Sequence, residues 1–318
     1  MGLVERIASA GGKSKQTDKD EARTEEARAE AIEEGVRALE DGFPTAPSLR
    51  SAVPDDRRVR IDFNRLREGG NFTPLRRRTR LGMELRALKR RLLNRIGFFE
   101  APRIGKSNAR RVERIALVTS TRPGEGKTFL SLNLALSLAF EDNTPVFLID
   151  ADLNRPKIAD QLGLAPVLGL SDLLTDENLS VSDIVLQAEG SPLFLLPAGL
   201  ASADPPELFG SERAIELFKQ IRREFGDCII VLDAPPVLAA TEAMLIAREV
   251  DEVLFVVQAN ETRAPMLETA LEELADVRER ISFVLNFCAI NKSASHYGAY
   301  YEYSPTQHSD AVGSDRDA

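Results

Sequence analysis

Short apolar runs alternate with longer segments of helical periodicity from Val112 onward. The apolar runs predict strands near residues 115–119, 145–149, 193–196, 228–232, 252–257 and 281–287. Between these runs, apolar residues recur at helical spacing over residues 127–140, 206–225, 242–248 and 265–280. Apolar strands that alternate with helices are typical of a parallel sheet covered on both faces. The predicted fold is therefore α/β, with a doubly wound and mostly parallel sheet.

The residues before Val112 follow other patterns. Residues 1–56 hold few large apolar side chains, which predicts a charged and partly disordered N-terminal extension. Between residues 81 and 96, apolar side chains recur among basic residues at Leu85, Leu88, Leu92 and Ile96. This spacing predicts an amphipathic helix that packs on the core or on a neighbouring subunit. We therefore divide the chain into the extension at 1–56, a basic docking or oligomerisation segment at 57–111, an α/β domain at 112–292 and a flexible tyrosine-rich tail at 293–318.

Composition limits where the protein works. The chain has 318 residues, of which 43% are apolar and 29% charged, so it can bury one sizeable core. No apolar run in the sequence approaches the length of about 20 residues that a membrane span needs, and the first residues lack the apolar centre of a secretory signal. We expect a cytoplasmic protein. Cys228 and Cys288 lie in apolar runs without metal-ligand spacing, which predicts two buried, reduced thiols.

Charge is unevenly distributed along the chain. The formal net charge is −9, yet residues 57–111 hold 18 basic and 4 acidic residues. This basic stretch lacks interleaved aromatic residues and any nucleic-acid-binding motif, so it predicts a docking surface for a subunit or partner and no nucleic acid.

A glycine-rich octapeptide, TRPGEGKT at residues 121–128, lies between a predicted strand and a predicted helix. This placement directs backbone N–H groups and the positive end of the helix dipole at a bound anion, which indicates a nucleotide site. Lys127 adds a cation for the terminal phosphates, and the Thr128 hydroxyl can ligate Mg²⁺. Asn286, which ends the last predicted strand at the same edge, either reads the nucleotide base or satisfies local backbone groups. The residues predicted to contact the nucleotide are Thr121, Gly124, Glu125, Gly126, Lys127, Thr128, Phe129 and Asn286.

Three carboxylates follow predicted strands at the same edge. Asp150 and Asp152 come after the strand PVFLID, and Asp233 ends the strand CIIVLD. Carboxylates around a triphosphate repel each other unless a divalent cation offsets their charge, which indicates a magnesium phosphoryl-transfer site. We predict metal contacts from Thr128, Asp152 and Asp233, and a catalytic base at Asp150 or Asp152. The alternative for strand-end aspartates is that they only cap the following turns.

All four tyrosines lie beyond the last predicted strand, within SHYGAYYEYS at Tyr297, Tyr300, Tyr301 and Tyr303. Such a cluster can serve for stacking or association. Tyrosine hydroxyls are also phosphoryl acceptors once a base removes the proton, since a pKa near 10 leaves little phenolate at neutral pH. The cluster therefore predicts a set of acceptor tyrosines on a flexible tail.

In this order, the motifs resemble those of the bacterial tyrosine kinases of exopolysaccharide biosynthesis, especially the stand-alone exosortase-associated tyrosine autokinases. The resemblance covers residues 58–303 and is carried by TRPGEGKT, VFLIDADLNRP, IIVLDAPPVL and the tyrosine cluster. The segment IDFNRLREGGNFTP and the helix after it are similar to the region before the kinase core in the exosortase-linked branch.

The resemblance implies a P-loop fold of the deviant Walker type, like that of MinD and ParA, with ATP and Mg²⁺ as cofactors. It implies Lys127, Asp150 and Asp152 as catalytic residues of a kinase domain at 112–292, which phosphorylates the tyrosine cluster in trans within a ring-like homo-oligomer. It also implies a transmembrane polysaccharide co-polymerase as the partner that recruits and activates the kinase at the inner face of the plasma membrane. A cognate tyrosine phosphatase is compatible with it.

Three positions depart from the family pattern. Asn154 stands where the second motif has an arginine, with Arg155 one place later. The oligomerisation motif E-x-x-R-x-x-R is replaced by Met83, Arg86 and Lys89, and Glu242 stands where an aspartate often follows the third motif.

Two other functions share these motifs. A switch of the MinD or ParA type would hydrolyse ATP to control assembly without kinase activity, and a catalytically weak scaffold would bind nucleotide only to position a co-polymerase. The tyrosine cluster favours the kinase, because such a switch more often carries a membrane-binding helix or a DNA-binding patch.

Overall fold

A computed structural model of the chain describes residues 53–71, 79–98, 114–142, 145–200 and 204–288. The predicted disordered extension, apart from its last few residues, and the tyrosine-rich tail lie outside the described residues. The fourfold division of the chain therefore stays a prediction.

A sheet of eight strands forms the centre of the described part of the chain. In chain order, the strands are β1 Arg58–Val59, β2 Ile115–Ser120, β3 Val146–Asp150, β4 Leu186–Ala188, β5 Leu193–Leu196, β6 Ile229–Asp233, β7 Glu252–Gln258 and β8 Ile281–Asn286. Their spatial order is β1-β4-β5-β3-β6-β2-β7-β8. Every neighbouring pair is parallel except β4 and β5, which are antiparallel. The predicted mostly parallel sheet is confirmed.

Helices connect the strands and cover the sheet. In chain order, they are α1 Phe63–Glu68, α2 Arg80–Arg95, α3 Lys127–Asp142, α4 Ile158–Leu162, α5 Leu170–Thr175, α6 Val181–Ile184, α7 Pro205–Phe209, α8 Glu212–Phe225, α9 Glu242–Glu249 and α10 Ala264–Glu273. Short 3₁₀ turns occupy Asp55–Arg57 and Ala275–Arg280. Among the helices of these ranges, none combines the length and the apolar content needed to cross a bilayer.

Successive residues of the central strands enter two different cores. Ile115 and Leu117 of β2 pack with α8 and α9 on one face of the sheet, whereas Ala116 and Val118 pack with α2 and α3 on the other. This alternation follows from the pleat, which directs neighbouring side chains to opposite faces. Because both faces are covered, the strands are apolar throughout, as the sequence pattern predicted.

The amphipathic helix predicted at Leu81–Ile96 is confirmed as α2. Leu85 and Leu92 on it are buried, and the Thr79 side chain caps its start by accepting a hydrogen bond from the Gly82 N–H at 3.2 Å. At the other end, Arg95 forms an ion pair of 2.9 Å with the buried Glu252 of β7. The helix is therefore fastened to the α/β core within the same chain.

Some sequence predictions were wrong in detail. The single helix expected over residues 206–225 is two helices, because the Ser211 side chain caps a new start at Glu212 by accepting a hydrogen bond from the Ala214 N–H at 3.3 Å. Strands β1 and β4 are so short that the apolar pattern did not predict them. Cys228 is buried as expected, but Cys288 is exposed. It follows β8, the strand at one edge of the described sheet, where Phe283, Leu285 and Phe287 are also exposed.

Candidate nucleotide-binding site

The carboxyl ends of β2, β3 and β6 meet at one edge of the sheet and bring the predicted site together. The glycine-rich loop follows β2, Asp150 ends β3 and Asp233 ends β6. Asp150 and Asp233 are direct neighbours across the parallel ladder, and Val118 of β2 pairs with Asp233 on its other side. Ligands of doubly wound sheets bind beyond the carboxyl ends of the strands. This edge is therefore the candidate nucleotide site.

The glycine-rich loop is braced from inside by Glu125. This side chain is fully buried, and its Oε2 accepts hydrogen bonds from the N–H groups of Thr121 and Arg122 at 2.8 and 3.1 Å. The Thr262 hydroxyl donates to Oε1, which also lies 3.6 Å from the Arg122 guanidinium. A buried carboxylate with several donors fixes the backbone around it. The sequence prediction missed Thr262, which lies after β7 and belongs to no recognised motif.

Close packing explains one glycine of the loop. Gly126 has a φ of 94°, in the left-handed region that glycine adopts readily. The Asn286 Nδ2 crosses from the end of β8 and donates to the Glu125 carbonyl at 3.0 Å. A Cβ on Gly126 would lie 2.1 Å from that nitrogen, so a larger residue does not fit. The Asn286 amide therefore satisfies backbone, which is one of the two alternatives its sequence position left open.

The first turn of α3 carries the predicted cation and hydroxyl. Lys127 is 7% exposed and Thr128 is half-buried. One turn later, the Ser131 hydroxyl donates to Asp233 Oδ1 at 2.9 Å. Sequence reasoning missed Ser131, although residues four apart lie on the same helix face as Lys127. The loop, the helix start and β6 are thus joined through side chains.

Asp150 and Asp152 have different surroundings although they lie two residues apart. Asp150 is fully buried, and its Oδ2 accepts hydrogen bonds from the N–H groups of Lys157 and Ile158, both at 3.0 Å. Asp152 is half-buried, and its Oδ1 accepts from the Arg155 N–H at 3.2 Å. Asp150 therefore holds the end of the following loop, as a turn-capping residue would. Asp152 is the more accessible of the two carboxylates.

Burial makes all three carboxyl groups harder to ionise. Burial is the largest cause that raises the pKa of Asp150, followed by repulsion from Asp233. Burial also raises the pKa of Asp233, which the Thr128 hydroxyl, the Lys127 charge and the Ser131 hydroxyl partly offset. The pKa of Asp152 is raised by burial and lowered first by Lys127. Lys127 is thus the cation that acts on both Asp152 and Asp233.

The residues present fit a magnesium nucleotide. Asp150 Oδ1 and Asp233 Oδ2 are buried without a hydrogen-bond partner among the described residues, so a cation near them would satisfy oxygen atoms that the protein leaves unpaired. Within those same ranges, no three His, Cys, Asp or Glu side chains converge closely enough to hold a metal by themselves. Mg²⁺ commonly takes one or two carboxylates together with nucleotide phosphates. The edge therefore fits a metal that arrives with its nucleotide.

Two of the residues that depart from the family pattern contact each other. Asn154 lies in the loop after β3, and its Nδ2 donates to Glu242 Oε1 at 3.1 Å. Glu242 is 2% exposed and begins α9, which follows the third motif. This hydrogen bond connects the loop that carries Asp152 to the segment that follows Asp233. The two residues lie 88 positions apart in the sequence.

The remaining predicted residues lie elsewhere. Phe129 is half-buried, and its carbonyl accepts a hydrogen bond from the Asn133 side chain. The acceptor tyrosines Tyr297, Tyr300, Tyr301 and Tyr303 lie outside the described residues. On α2, Lys89 is buried while Met83 and Arg86 are half-buried, so the positions of the oligomerisation motif are partly covered within the chain.

Comparisons with known proteins give consistent names. No protein-family model matches the chain. The solved kinase domain of VpsO is 34% identical with a TM-score of 0.51, and the alignment covers 64% of this chain and 98% of that domain. The tyrosine-protein kinase CpsD of Streptococcus agalactiae is 28% identical over 208 residues, which are 65% of this chain and 88% of CpsD.

Longer relatives match over a smaller part of their length. The tyrosine-protein kinase ptk of Acinetobacter johnsonii is 30% identical over 57% of this chain, yet the match spans only 24% of ptk. The chain thus spans most of the length of the shorter kinase CpsD and about a quarter of the length of the longer kinase ptk.

Proposed function

The chain belongs to the bacterial tyrosine kinases of exopolysaccharide biosynthesis, and from this premise we propose that it phosphorylates its own C-terminal tyrosine cluster in trans. The assignment confirms the predicted protein-tyrosine kinase and disfavours an ATPase switch without kinase activity. The acceptors, the residue roles and the order of events are our proposal. So is the closer assignment to the exosortase-associated branch, which rests on the segment at 61–74 and the helix after it.

The observation that supports the site assignment most strongly is the arrangement of Lys127 between the glycine-rich loop and the carboxylates. The loop N–H groups and Lys127 would bind the phosphates of ATP, and Thr128 and Asp233 would hold Mg²⁺. When bound, Mg²⁺·ATP supplies the phosphoryl group and a cation that offsets the charge of these carboxylates. Phosphoryl transfer needs little covalent chemistry from the protein, so positioning and charge are its main contributions.

We assign the catalytic base to Asp152. A base must come within hydrogen-bond reach of the tyrosine hydroxyl, and Asp152 is half-buried whereas Asp150 is enclosed. Asp150 also uses one oxygen for the N–H groups of the loop that follows. In this assignment, Asp152 would accept the phenol proton as the tyrosine oxygen bonds to the γ-phosphorus of ATP and the bond to the β–γ bridging oxygen breaks, so that ADP leaves. Lys127 would stabilise the transferring phosphoryl group. Asp150 acts by keeping the loop in position.

The tail is proposed to serve a neighbouring subunit, and its phosphorylation to regulate assembly. Each phosphate adds about 1.5 to 2 negative charges to the tail. The carboxylates of the site repel these charges, which favours release of the tail. In line with the family, we place the protein in the cytoplasm at the inner face of the membrane, activated by a transmembrane co-polymerase that controls polysaccharide chain length. A homo-oligomer and a cognate tyrosine phosphatase complete this proposal.

Phosphotyrosine mapping by mass spectrometry tests the proposal. Purified protein is incubated with Mg·ATP, with and without the cytoplasmic tail of a co-polymerase, beside Lys127→Met and the surface control Lys219→Met. Lys219 is 61% exposed and lies on α8. We expect label on Tyr297, Tyr300, Tyr301 and Tyr303 in the wild type and in Lys219→Met, and none in Lys127→Met. ATP hydrolysis without tyrosine label, even with the partner, would refute the autokinase and favour the ATPase switch.

Mixing two variants tests transfer between subunits. One is Lys127→Met with its tail intact, and the other has an active site but carries all four tail tyrosines as phenylalanine. Label on the Lys127→Met chain in the mixture requires transfer in trans. If the Lys127→Met chain stays unlabelled in the mixture, while the wild type labels its tail at a rate independent of protein concentration, transfer occurs in cis and the trans proposal is wrong.

A further inference from the structure

Phe287 lies at the mouth of the glycine-rich loop. It directly follows Asn286, whose side chain donates to the Glu125 carbonyl inside that loop. The Phe287 Cε2 lies 3.5 Å from the position that a Cβ would take on Gly126. The residue is nevertheless 58% exposed. An aromatic ring thus lies against the phosphate cradle and leaves much of its surface open to solvent.

The backbone at Phe287 is in an unusual conformation. Its φ is 56°, in the left-handed region that bulky residues seldom adopt. The Phe287 N–H donates to the Oδ1 of Asn286 at 2.9 Å, which supports this conformation. Strained residues of this kind persist where surrounding contacts over-determine them, and they cluster at ligand sites. This conformation accompanies the close approach of the ring to Gly126.

The Asn286 amide is engaged with backbone on both of its ends. Its Nδ2 donates to Glu125, and its Oδ1 accepts from Phe287. Recognition of a base by this amide is left to its second N–H and to the remaining lone pair of its oxygen. A face of an aromatic ring, in contrast, offers a purine base a stacking surface that needs no hydrogen bond.

We propose that the Phe287 ring stacks on the purine base of the nucleotide whose phosphates the glycine-rich loop binds. The inference rests on nucleotide binding as proposed above and adds the residue that contacts the base. Stacking uses the π face that all bases share, so it provides affinity with little discrimination between bases. Asn286 then acts as the positioning residue that holds Phe287 against the loop.

Calorimetric binding of Mg·ATP, Mg·GTP and Mg·tripolyphosphate tests the proposal on the full chain. Tripolyphosphate has the charges that the loop binds but no base. The variants are Phe287→Ala, Phe287→Tyr, which keeps an aromatic ring, and Leu285→Ala, which truncates a 60% exposed apolar residue of β8, the strand before Phe287.

Phe287→Ala is expected to bind ATP and GTP roughly 5- to 150-fold more weakly, the range for loss of one base–aromatic stack. Its affinity for tripolyphosphate should not change, and Phe287→Tyr and Leu285→Ala should bind all three ligands like the wild type. Equal losses for ATP and tripolyphosphate, or undiminished ATP binding by Phe287→Ala, would overturn the stacking role. Failure of tyrosine phosphorylation in a protein that binds ATP normally would contradict the kinase proposal and leave this one standing.

Discussion

The glycine-rich loop and the carboxylates beside it share one sheet edge but differ in how their buried charges are compensated. In the loop, the Glu125 carboxylate accepts hydrogen bonds from two backbone N–H groups and from the Thr262 hydroxyl. Across the edge, Asp150 and Asp233 lie side by side, and each has a buried oxygen without a hydrogen-bond partner in the described part of the chain.

This difference indicates two kinds of preparation for a ligand. The loop backbone is fixed by the protein's own hydrogen bonds, so it needs little rearrangement to bind phosphates. The fold holds Asp150 and Asp233 side by side despite their mutual repulsion and the cost of burying their charges. A bound cation would offset both. We therefore expect changes in the loop brace to lower stability, and neutralisation of an aspartate to raise stability while it lowers activity.

The largest effect is expected for Asp233→Asn. Removing the metal-side carboxylate should lower tyrosine phosphorylation roughly a hundredfold or more, a loss typical of charge-stabilising groups. The same change removes a buried charge next to Asp150, so the free energy of unfolding should rise by about 1 kcal/mol. Phosphorylation rates and urea denaturation measure the two quantities. Asp276→Asn, at a 74% exposed side chain, is the control that should change neither.

Opposite signs of these two effects distinguish a charge-repelling pair from an ordinary structural one. If Asp233→Asn instead loses stability, the charged carboxylates stabilise the folded protein. The proposed difference between the loop brace and the aspartate pair is then wrong.

Glu125→Ala should have the largest effect on stability. It leaves the N–H groups of Thr121 and Arg122 without their acceptor, so unfolding free energy should fall by roughly 2–4 kcal/mol. Glu125→Gln keeps one acceptor oxygen, so its free energy of unfolding should fall less. Urea denaturation at constant pH measures the stability of both variants. Glu268→Ala, at an exposed residue of α10, is the control. Equal stability of Glu125→Ala and the wild type would show that the loop does not depend on this brace.

Stability should also depend on pH through the aspartate pair. Their folded-state pKa values are raised, whereas an unfolded aspartate titrates near 4. The folded state therefore holds protons more tightly, and the contribution of the pair is lost as the pH rises from about 4 through the elevated folded-state values. The loss should be on the order of 1–3 kcal/mol.

The pH effect is isolated by comparing the wild type with Asp233→Asn across the same pH series. The variant lacks the repulsion from Asp233 that contributes to the raised pKa of Asp150, so its stability should fall less over this window. Parallel curves for the two proteins would mean that the pair does not titrate in this range.

The smallest effect is expected at the contact between Asn154 and Glu242. Asn154→Ala removes the link between the Asp152 loop and α9, and kcat should fall several-fold, on the order of 1 kcal/mol, with KM for ATP nearly unchanged. Glu242→Gln, which still offers an acceptor oxygen, should retain more activity than Glu242→Ala. A double-mutant cycle checks the coupling. Strictly additive effects of Asn154→Ala and Glu242→Ala would show that the hydrogen bond does not position the loop.

The sequence predicted the features that depend on local periodicity. The alternation of apolar strands and helices is confirmed in β2, β3, β6 and β7, and the position of TRPGEGKT between a strand and a helix is confirmed as well. The strand ends also place Asp150 and Asp233 at one edge, because parallel strands share the direction of their carboxyl ends. The elements follow from residues close in sequence, and the shared edge follows from the parallel direction of the strands.

Tertiary structure decided which distant groups meet. Glu125 contacts Thr262 and Asn286, which are 137 and 161 positions away, and no local pattern marks these partners. The exposure of Cys288 likewise follows from the place of β8 in the strand order, whereas its apolar neighbours in sequence suggested burial. By itself, the sequence determined the elements and the chemistry at their ends. The order of the strands then fixed which carboxylate braces the loop and which carboxylates lie together at the candidate nucleotide site, since hydrogen bonds and burial depend on spatial neighbours.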